Sequence, residues 1–248
     1  MTSYDGKKIV ITGGSSGIGL ATARLFADGG AHVLITGRTR ATLDAASEQL
    51  GKHAIAVRSD AASPKDIKAL AGTVRERFGT VDALFVNAGV TASAPFDSTT
   101  EEMYDELFDI NVKGPYFTVQ ALAPLLREGS GVVLTTSVVN VLGLDALSVY
   151  SASKAALRSM TRTLARELLP RKVRVNAVSP GPVDSGILDR SSLPVDVVEA
   201  RKEAYRSTNP MQRLGTSEEV AAAVAYLAFG ATFSTGAEFP VDGGGSQL

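Results

Sequence analysis

The feature that most restricts how this chain folds is a regular alternation of short β-branched runs with amphipathic segments. Strands are predicted at seven places: 7–12, 31–36, 54–58, 82–86, 131–136, 173–178 and 236–241. Apolar residues at three- and four-residue spacing predict helices near 18–28, 40–50, 64–78, 100–127, 151–169 and 217–229. Continuously apolar strands suit a sheet that is covered on both sides. The pattern therefore predicts an α/β fold, a doubly wound parallel sheet of about seven strands with helices on both faces.

Length and composition favour a single domain over 1–248. The chain has 248 residues, of which 44% are apolar, and it contains no repeat or linker-like stretch that would separate two domains. One region interrupts the alternation, because 180–210 carries four prolines and no clear strand. Connections this long are usually functional, so we predict a substrate lid near 182–210.

Charge and residue usage exclude several functions. The net charge is -1 and no run of Lys or Arg exceeds two residues, so neither a nucleic-acid nor a membrane partner is expected. Without cysteine, and with His32 and His53 as the only histidines, disulfides and thiolate chemistry are excluded and no metal site is predicted. The N-terminal sequence lacks the apolar stretch of a signal peptide, and no eighteen apolar residues run together. A cytoplasmic protein is expected.

A glycine-rich turn, "ITGGSSGIG" at 11–19, follows the first strand and opens the first helix. In that context glycines permit a tight turn, a close approach to a pyrophosphate and close helix packing, while the helix N-terminus attracts phosphate. A tight turn without a ligand is the alternative. The residues assigned to a dinucleotide are Gly13, Ser15, Ser16, Gly17, Ile18 and Gly19.

The ends of the next three strands carry further cofactor candidates. Gly37 followed by Arg38 leaves room for a 2′-phosphate and supplies a guanidinium to hold it, which favours NADP(H) over the alternative, NAD(H). A solvated helix-capping arginine is the other interpretation of Arg38. Asp60 either accepts from an adenine amine or caps a turn, and both interpretations stay open. Asn87, Ala88 and Gly89 follow the fourth strand, at the edge where ligands bind in such sheets.

The stretch "VYSASK" places Tyr150 and Lys154 one turn apart on one helix face. A tyrosine ordinarily titrates near pH ~10, and a cation fixed beside it lowers that pKa. The pair is therefore a candidate acid and base, although two surface residues at this spacing are also common.

Taken together, the motifs resemble the short-chain dehydrogenase/reductase family over essentially the whole chain. The resemblance rests on seven elements in order: TGxxxGIG at 12–19, Asp60, NAG at 87–89, Asn111, Ser137, YxxxK at 150–154 and PG at 180–181. It implies a Rossmann-type oxidoreductase.

The resemblance also implies a role for each catalytic candidate. Tyr150 would exchange a proton with the substrate oxygen, and Lys154 would depress its pKa and hold the nicotinamide ribose. Ser137 would orient the carbonyl, and Asn111 would help hold a water that links Lys154 to solvent. A buried structural amide is the alternative for Asn111, and an ordinary strand-end serine for Ser137.

Around the nicotinamide, the resemblance implies that Pro180 and Gly181 shape the backbone. Ser185 stands where the family often has threonine and would hydrogen-bond the carboxamide. An apolar substrate pocket is suggested by the lid and by Val141, Leu142, Leu144 and Leu147, with plain loop packing as the alternative.

These observations predict an enzyme that moves a hydride between NADP(H) and a small-molecule carbonyl or secondary alcohol. In the family, the long helices near 100–127 and 151–169 commonly pack against other subunits, so a homotetramer is expected. The alternatives are an NAD-dependent alcohol or sugar dehydrogenase of the same fold and a nucleotide-sensing protein that lost the reaction.

Overall fold

The computed structural model describes residues 3–186, 188 and 194–248. Its central feature is one sheet of seven parallel strands. They are β1 (Lys8–Thr12), β2 (His32–Gly37), β3 (Ala54–Arg58), β4 (Val81–Val86), β5 (Leu126–Thr135), β6 (Arg174–Pro180) and β9 (Glu238–Val241). A separate two-stranded parallel pair consists of β7 (Val183–Asp184) and β8 (Gly215–Thr216).

Helices connect the strands and cover the sheet. They are α1 (Gly17–Asp28), α2 (Arg40–Leu50), α3 (Pro64–Phe78), α4 (Glu101–Phe108), α5 (Gly114–Leu122), α6 (Ser148–Leu168), α7 (Val195–Thr208) and α8 (Ser217–Ala225). π-helical segments follow α4 at Asp109–Lys113 and α8 at Tyr226–Gly230. No helix of the described ranges is both long and apolar enough to cross a membrane.

The strand order is β3-β2-β1-β4-β5-β6-β9, so the chain reverses its direction of travel across the sheet between β1 and β4. In open α/β sheets, ligands bind beyond the carboxyl ends of the strands at such a switch point. The order therefore directs attention to the loops that follow β1 and β4.

The core lies in two layers, one on each face of the sheet. Successive side chains of a strand point to opposite faces, and accordingly Ile9 and Ile11 belong to one buried cluster and Val10 to the other. Phe26 of α1 is fully buried in the first layer, and Val119 of α5 is buried in the second. The predicted doubly wound parallel sheet is confirmed.

The prediction of one continuous helix over 100–127 is wrong. Instead α4, the π-helical segment Asp109–Lys113 and α5 follow one another, and the chain enters β5 at Leu126. Pro115 has no N–H to donate to the carbonyl of Asn111 four residues earlier, which removes one helical bond at this point.

The region 180–210 contains more regular structure than its prolines suggested. It includes β7, and α7 begins after Pro194 and ends before Pro210. Among the residues of α7, Val198 and Lys202 are the buried ones, so the helix lacks the broad apolar stripe that sequence patterns detect. The predicted lid also includes 187 and 189–193, which lie outside the described residues.

Candidate active site

The turn between β1 and α1 is shaped by its glycines. Gly13 and Gly17 have φ values of 64° and 52°, in the left-handed region that favours glycine. A Cβ on Gly19 would overlap the carbonyl oxygen of Gly13. Ser16 is the N-cap of α1, but its side chain makes no capping bond, and the first turn contains no acidic residue. The helix N-terminus is therefore suited to an anion.

The other two dinucleotide candidates of this turn, Ser15 and Ile18, contact the rest of the protein. A Cβ on Gly37, at the end of β2, would lie 2.9 Å from Ser15 Oγ, so the turn packs directly on that strand. Ile18 packs against the buried cluster around Ile9 and Phe26. The Ile18 side chain is therefore partly buried against the core.

The end of β2 carries two neighbouring guanidinium groups. Arg38 is exposed, and among the described residues none forms an ion pair or a side-chain hydrogen bond with its guanidinium. Arg58, at the end of β3, donates from Nε to the carbonyl oxygen of Arg38 at 3.1 Å. Sequence reasoning missed Arg58, because its proximity follows from the pairing of Gly37 with Arg58 in the sheet.

For Asp60, the structure shows a turn cap. Its Oδ1 accepts from the backbone N–H of Ala62 at 3.0 Å, while its own N–H donates to Asp66 Oδ2 at 3.0 Å. The bond from Asp60 lowers the pKa of Asp66. An adenine contact by Asp60 stays a prediction.

The Asn87 side chain joins three strand ends. Its Nδ2 donates to the carbonyl oxygen of Gly13 at 3.2 Å, and its Oδ1 accepts from Thr135 Oγ1 at 3.3 Å. The backbone N–H groups of Asn87 and Ala88 donate to Thr12 Oγ1 at 3.0 and 3.1 Å. This amide therefore fixes the glycine turn against the loop after β4. Sequence reasoning did not single out Thr12, although it lies in the TGxxxGIG motif.

Asn111 is fully buried in the π-helical segment Asp109–Lys113. Its amide exchanges two hydrogen bonds of 2.9 Å with the backbone of Val90, and its Nδ2 also donates to Ser153 Oγ at 3.2 Å. The structure shows a structural amide in this position, and the water relay stays a prediction. A Cβ on Gly89 would lie 3.1 Å from Asn111 Oδ1 and 3.5 Å from Lys154 Nζ, so the glycine keeps this space open.

Tyr150, Lys154 and Ser137 come together at the carboxyl edge of the sheet. Lys154 Nζ lies 5.7 Å from the centroid of the Tyr150 ring and donates to the carbonyl oxygen of Thr135 at 3.0 Å. The side chains of Ser137 and Tyr150 are hydrogen-bonded. Ser153, which sequence reasoning treated as a small spacer, donates to the carbonyl oxygen of Tyr150 at 2.7 Å.

Burial is the main cause of the pKa shifts of Tyr150 and Lys154. It raises the pKa of Tyr150 to about 12, against a lowering effect of the Ser137 bond, and the nearby Tyr205 raises it further. Burial also lowers the pKa of Lys154 to about 8. Lys154 is not among the groups that shift the pKa of Tyr150, and its ammonium donates instead to the Thr135 carbonyl. Depression of the tyrosine pKa by the lysine stays a prediction.

The remaining candidates lie beyond β6. Pro180 is buried, and its carbonyl oxygen lies 3.5 Å from Ser137 Oγ. A Cβ on Gly181 would lie 2.7 Å from Asp242 Cα, so this glycine permits close packing of the C-terminal turn. The carbonyl oxygen of Ser185 lies 2.8 Å from where a Cβ on Gly17 would be. Ser185 therefore adjoins the glycine turn.

The predicted pocket residues after β5 differ in exposure. Val141 and Leu144 are 67% and 47% exposed, whereas Leu142 and Leu147 are partly buried.

In the described ranges, no three histidine or acidic side chains are grouped so that they could hold a metal ion.

A family model and a known relative each match the chain over most of its length. A family model described as enoyl-(acyl carrier protein) reductase matches residues 13–246. Oxidoreductase asL5 of Sarocladium schorii is 37% identical, over 98% of this chain and 97% of the relative.

Two crystal structures resemble the fold closely. The short-chain dehydrogenase/reductase "SDR:Glucose/ribitol dehydrogenase" of Brucella melitensis covers 100% of both chains, with 32% identity and a TM-score of 0.93. A short chain dehydrogenase of Burkholderia cenocepacia, crystallised in complex with NADP, covers 97% of this chain and 98% of its own, with 35% identity and a TM-score of 0.87.

Proposed function

The chain belongs to the short-chain dehydrogenase/reductase family of oxidoreductases, and from this we propose that it transfers a hydride between NADP(H) and a carbonyl or secondary alcohol. The observation that carries the proposal is the convergence of Ser137, Tyr150 and Lys154 beside a glycine turn at the switch point of the sheet.

The turn fits a dinucleotide. A Cβ on Gly17 would lie 2.8 Å from the carbonyl oxygen of Ser185, so a larger residue would fill the space in front of α1. Because the Ser16 hydroxyl makes no capping bond, it can join the first N–H groups of α1 in binding phosphate. Gly89 keeps space open beside Lys154 Nζ, where that amine would hold the nicotinamide ribose. The nicotinamide, when bound, supplies or accepts the hydride.

The proton moves through Tyr150. With a pKa of about 12 the phenol is neutral at physiological pH, so in reduction it donates its proton to the substrate oxygen as negative charge develops there. Ser137, already within hydrogen-bond distance of the phenol, donates to the same oxygen. Lys154, with a pKa of about 8, is mostly protonated at pH 7 and stabilises the phenolate that remains.

We expect Arg38 to select NADP(H), since its guanidinium has no partner among the described residues. Replacing it with alanine should weaken NADPH binding by about tenfold or more and leave NADH binding unchanged. Arg40→Ala is the matched control, because Arg40 is occupied by an ion pair with Asp44 at 3.0 Å. Fluorescence titration with each cofactor measures both affinities. Equal NADPH affinity in Arg38→Ala and the wild type would favour the NAD-dependent alternative.

Turnover decides between enzyme and sensor. We expect the wild type to oxidise NADPH with at least one member of a ketone panel, followed by nicotinamide absorbance. Tyr150→Phe should reduce kcat by about 10²-fold or more and leave NADPH affinity intact, because the hydroxyl is the proton donor. Tyr226→Phe, at a half-exposed tyrosine, serves as the control. Wild type that binds cofactor and turns over none of the ketones would support the nucleotide-sensing alternative.

The single domain over 1–248 and the lid near 182–210 are part of the proposal. Val141 and Leu144 are exposed apolar side chains on the loop between Ser137 and Tyr150, which supports an apolar small-molecule substrate. Helix α7, within the lid region, brings Tyr205 near Tyr150.

The homotetramer is supported by an apolar face on the helices after β4. A surface depression of about 330 Å³ there is lined mainly by Phe108, Val112, Tyr116, Phe117 and Met160. Tyr116 is 40% exposed, so covering it with a second copy would bury apolar surface. Light scattering should give the tetramer mass for the wild type and a smaller species for Tyr116→Glu.

A further inference from the structure

A partly buried carboxylate near the C-terminus contacts the loop that carries Ser137. Glu238 is the first residue of β9, and its side chain is 14% exposed. Its Oε1 accepts from Thr136 Oγ1 at 2.5 Å and from Asn140 Nδ2 at 2.8 Å. Its Oε2 lies 3.2 Å from Arg158 Nε. Every one of these partners is close in the chain to a candidate catalytic residue.

The first two partners bracket Ser137. Thr136 precedes it, and Asn140 ends the short 3₁₀ turn that Ser137 begins. Asn140 Nδ2 donates to the carbonyl oxygen of Ser137 at 2.7 Å as well as to Glu238. Thr136 Oγ1 lies 3.0 Å from the carbonyl oxygen of Val178 and so also meets β6. The carboxylate therefore restrains the backbone of the serine from both sides.

The third partner lies on the helix of the tyrosine. Arg158 follows Tyr150 by eight positions in α6, about two helical turns. Besides Glu238, its guanidinium donates from Nη1 to the carbonyl oxygen of Gly236 at 2.9 Å. One carboxylate thus joins the serine loop, helix α6 and the entry of β9.

Stability alone is a weak reason for this arrangement. Removing a carboxylate and a guanidinium even partly from water costs desolvation, and well-packed apolar residues often serve equally well. The contacts matter more for the positions of the catalytic side chains. Ser137 and Tyr150 must both lie about 3 Å from one substrate oxygen, and displacing a catalytic group by about 1 Å can cost ~10²-fold in rate.

We propose that Glu238, acting with Asn140 and Arg158, is a positioning residue that holds the Ser137 hydroxyl at its working distance from the Tyr150 phenol. The inference rests on the proposed function for its kinetic consequence. Its structural consequence, the Ser137–Tyr150 hydrogen bond, is independent of turnover.

The kinetic test uses three variants. Asn140→Ala breaks the link to the serine carbonyl, Glu238→Gln keeps the shape and loses the ion pair, and Arg158→Met removes the cation. We expect Asn140→Ala to lower kcat by about tenfold or more, with the substrate KM and the NADPH affinity changed less than threefold. Glu238→Gln and Arg158→Met should each lower kcat by about threefold or more. Glu128→Ala, at an exposed ion pair with Lys172, is the control and should leave kcat unchanged.

A spectroscopic test does not require turnover. With 3-fluorotyrosine in place of Tyr150, the pH midpoint of its ¹⁹F resonance reports the bond from Ser137, which favours the phenolate. We expect this midpoint to move to higher pH in Asn140→Ala and in Glu238→Gln, and to stay in place in Glu128→Ala. An unmoved midpoint in the first two variants overturns the proposal whether or not the wild type reduces ketones. In an active wild type, kcat values within twofold in all three variants overturn it as well.

Discussion

At the residue scale, the absence of a side chain is as important in this site as its presence. A Cβ on Gly19 would overlap the carbonyl oxygen of Gly13, which itself accepts from Asn87. Larger residues at this position therefore push the glycine turn away from the strand ends.

We expect Gly19→Ala to weaken NADPH binding by about tenfold or more and to lower the free energy of unfolding by about 1–3 kcal/mol. Gly72→Ala is the matched control, since a Cβ on Gly72 in α3 has no neighbour within 4 Å. That change should raise the free energy of unfolding by about 0.5–1 kcal/mol through helix propensity. Urea unfolding and cofactor titration measure both effects. Gly19→Ala with wild-type affinity would contradict the assigned role of the turn.

The buried ammonium of Lys154 should reduce stability in a pH-dependent way. Its pKa falls from 10.5 in the ordinary group to about 8 on folding, so between these values the unfolded chain binds the proton more tightly. The free energy of unfolding therefore rises with pH across this window, and the cost of the ammonium is greatest below pH 8.

Replacing Lys154 with methionine removes this cost. Without cofactor, Lys154→Met should be more stable than the wild type by about 1–3 kcal/mol at pH 7. The difference should shrink as the pH rises from 8 towards 10.5. Urea denaturation at a series of pH values measures it, and a difference independent of pH would contradict the lowered pKa.

At the scale of elements, the helices differ in how their ends are stabilised. Helix α8 has a complete capping box, in which Thr216 Oγ1 accepts from Glu219 N–H at 3.2 Å and Glu219 Oε2 accepts from Thr216 N–H at 2.8 Å. Arg213 pairs with the same carboxylate and, by its hydrogen bond, lowers the pKa of Glu219 to about 2. The N-cap of helix α2 is Thr39, whose side chain makes no capping bond.

The comparison of these two threonines is a direct test. Thr216→Ala should lower the free energy of unfolding by about 1 kcal/mol, because the N–H of Glu219 loses its acceptor, the Thr216 hydroxyl. Thr39→Ala should change it by less than about 0.5 kcal/mol. Thermal and urea unfolding of the two variants give the difference, and equal losses would show that the capping box is not formed in solution.

At the scale of the whole molecule, the first core layer depends on an aromatic cluster. Phe26 is fully buried and packs edge-on against Tyr4, with centroids 4.9 Å apart, and against Phe229 at 5.6 Å. This cluster joins the N-terminal segment, α1 and the π-helical segment after α8. Its loss should therefore affect the entire fold.

We expect Phe26→Ala to lower the free energy of unfolding by about 3–5 kcal/mol through lost burial and a residual cavity. Phe233→Ala is the control, since Phe233 is fully exposed and should change stability little in the monomer. Urea unfolding monitored by circular dichroism measures both. A loss below about 1 kcal/mol for Phe26→Ala would show that the core relaxes around the deletion.

Local patterns were sufficient for much of the architecture. The predicted helices 40–50 and 64–78 and the strand 54–58 match α2, α3 and β3 residue for residue. Apolar periodicity is a property of neighbouring residues, so it can be read without the fold. Helix α7 escaped prediction because few of its residues are buried.

By itself, the sequence determined the alternating parallel fold, the family and the clustering of a glycine turn with Ser137, Tyr150 and Lys154 at one edge. Only the tertiary structure decided what each polar group contacts. Glu238 meets Thr136 across 102 positions and Asn140 across 98. The raised pKa of Tyr150 and the lowered pKa of Lys154 likewise follow from burial. Contacts and desolvation arise from elements distant in the chain, which no local pattern of residues encodes.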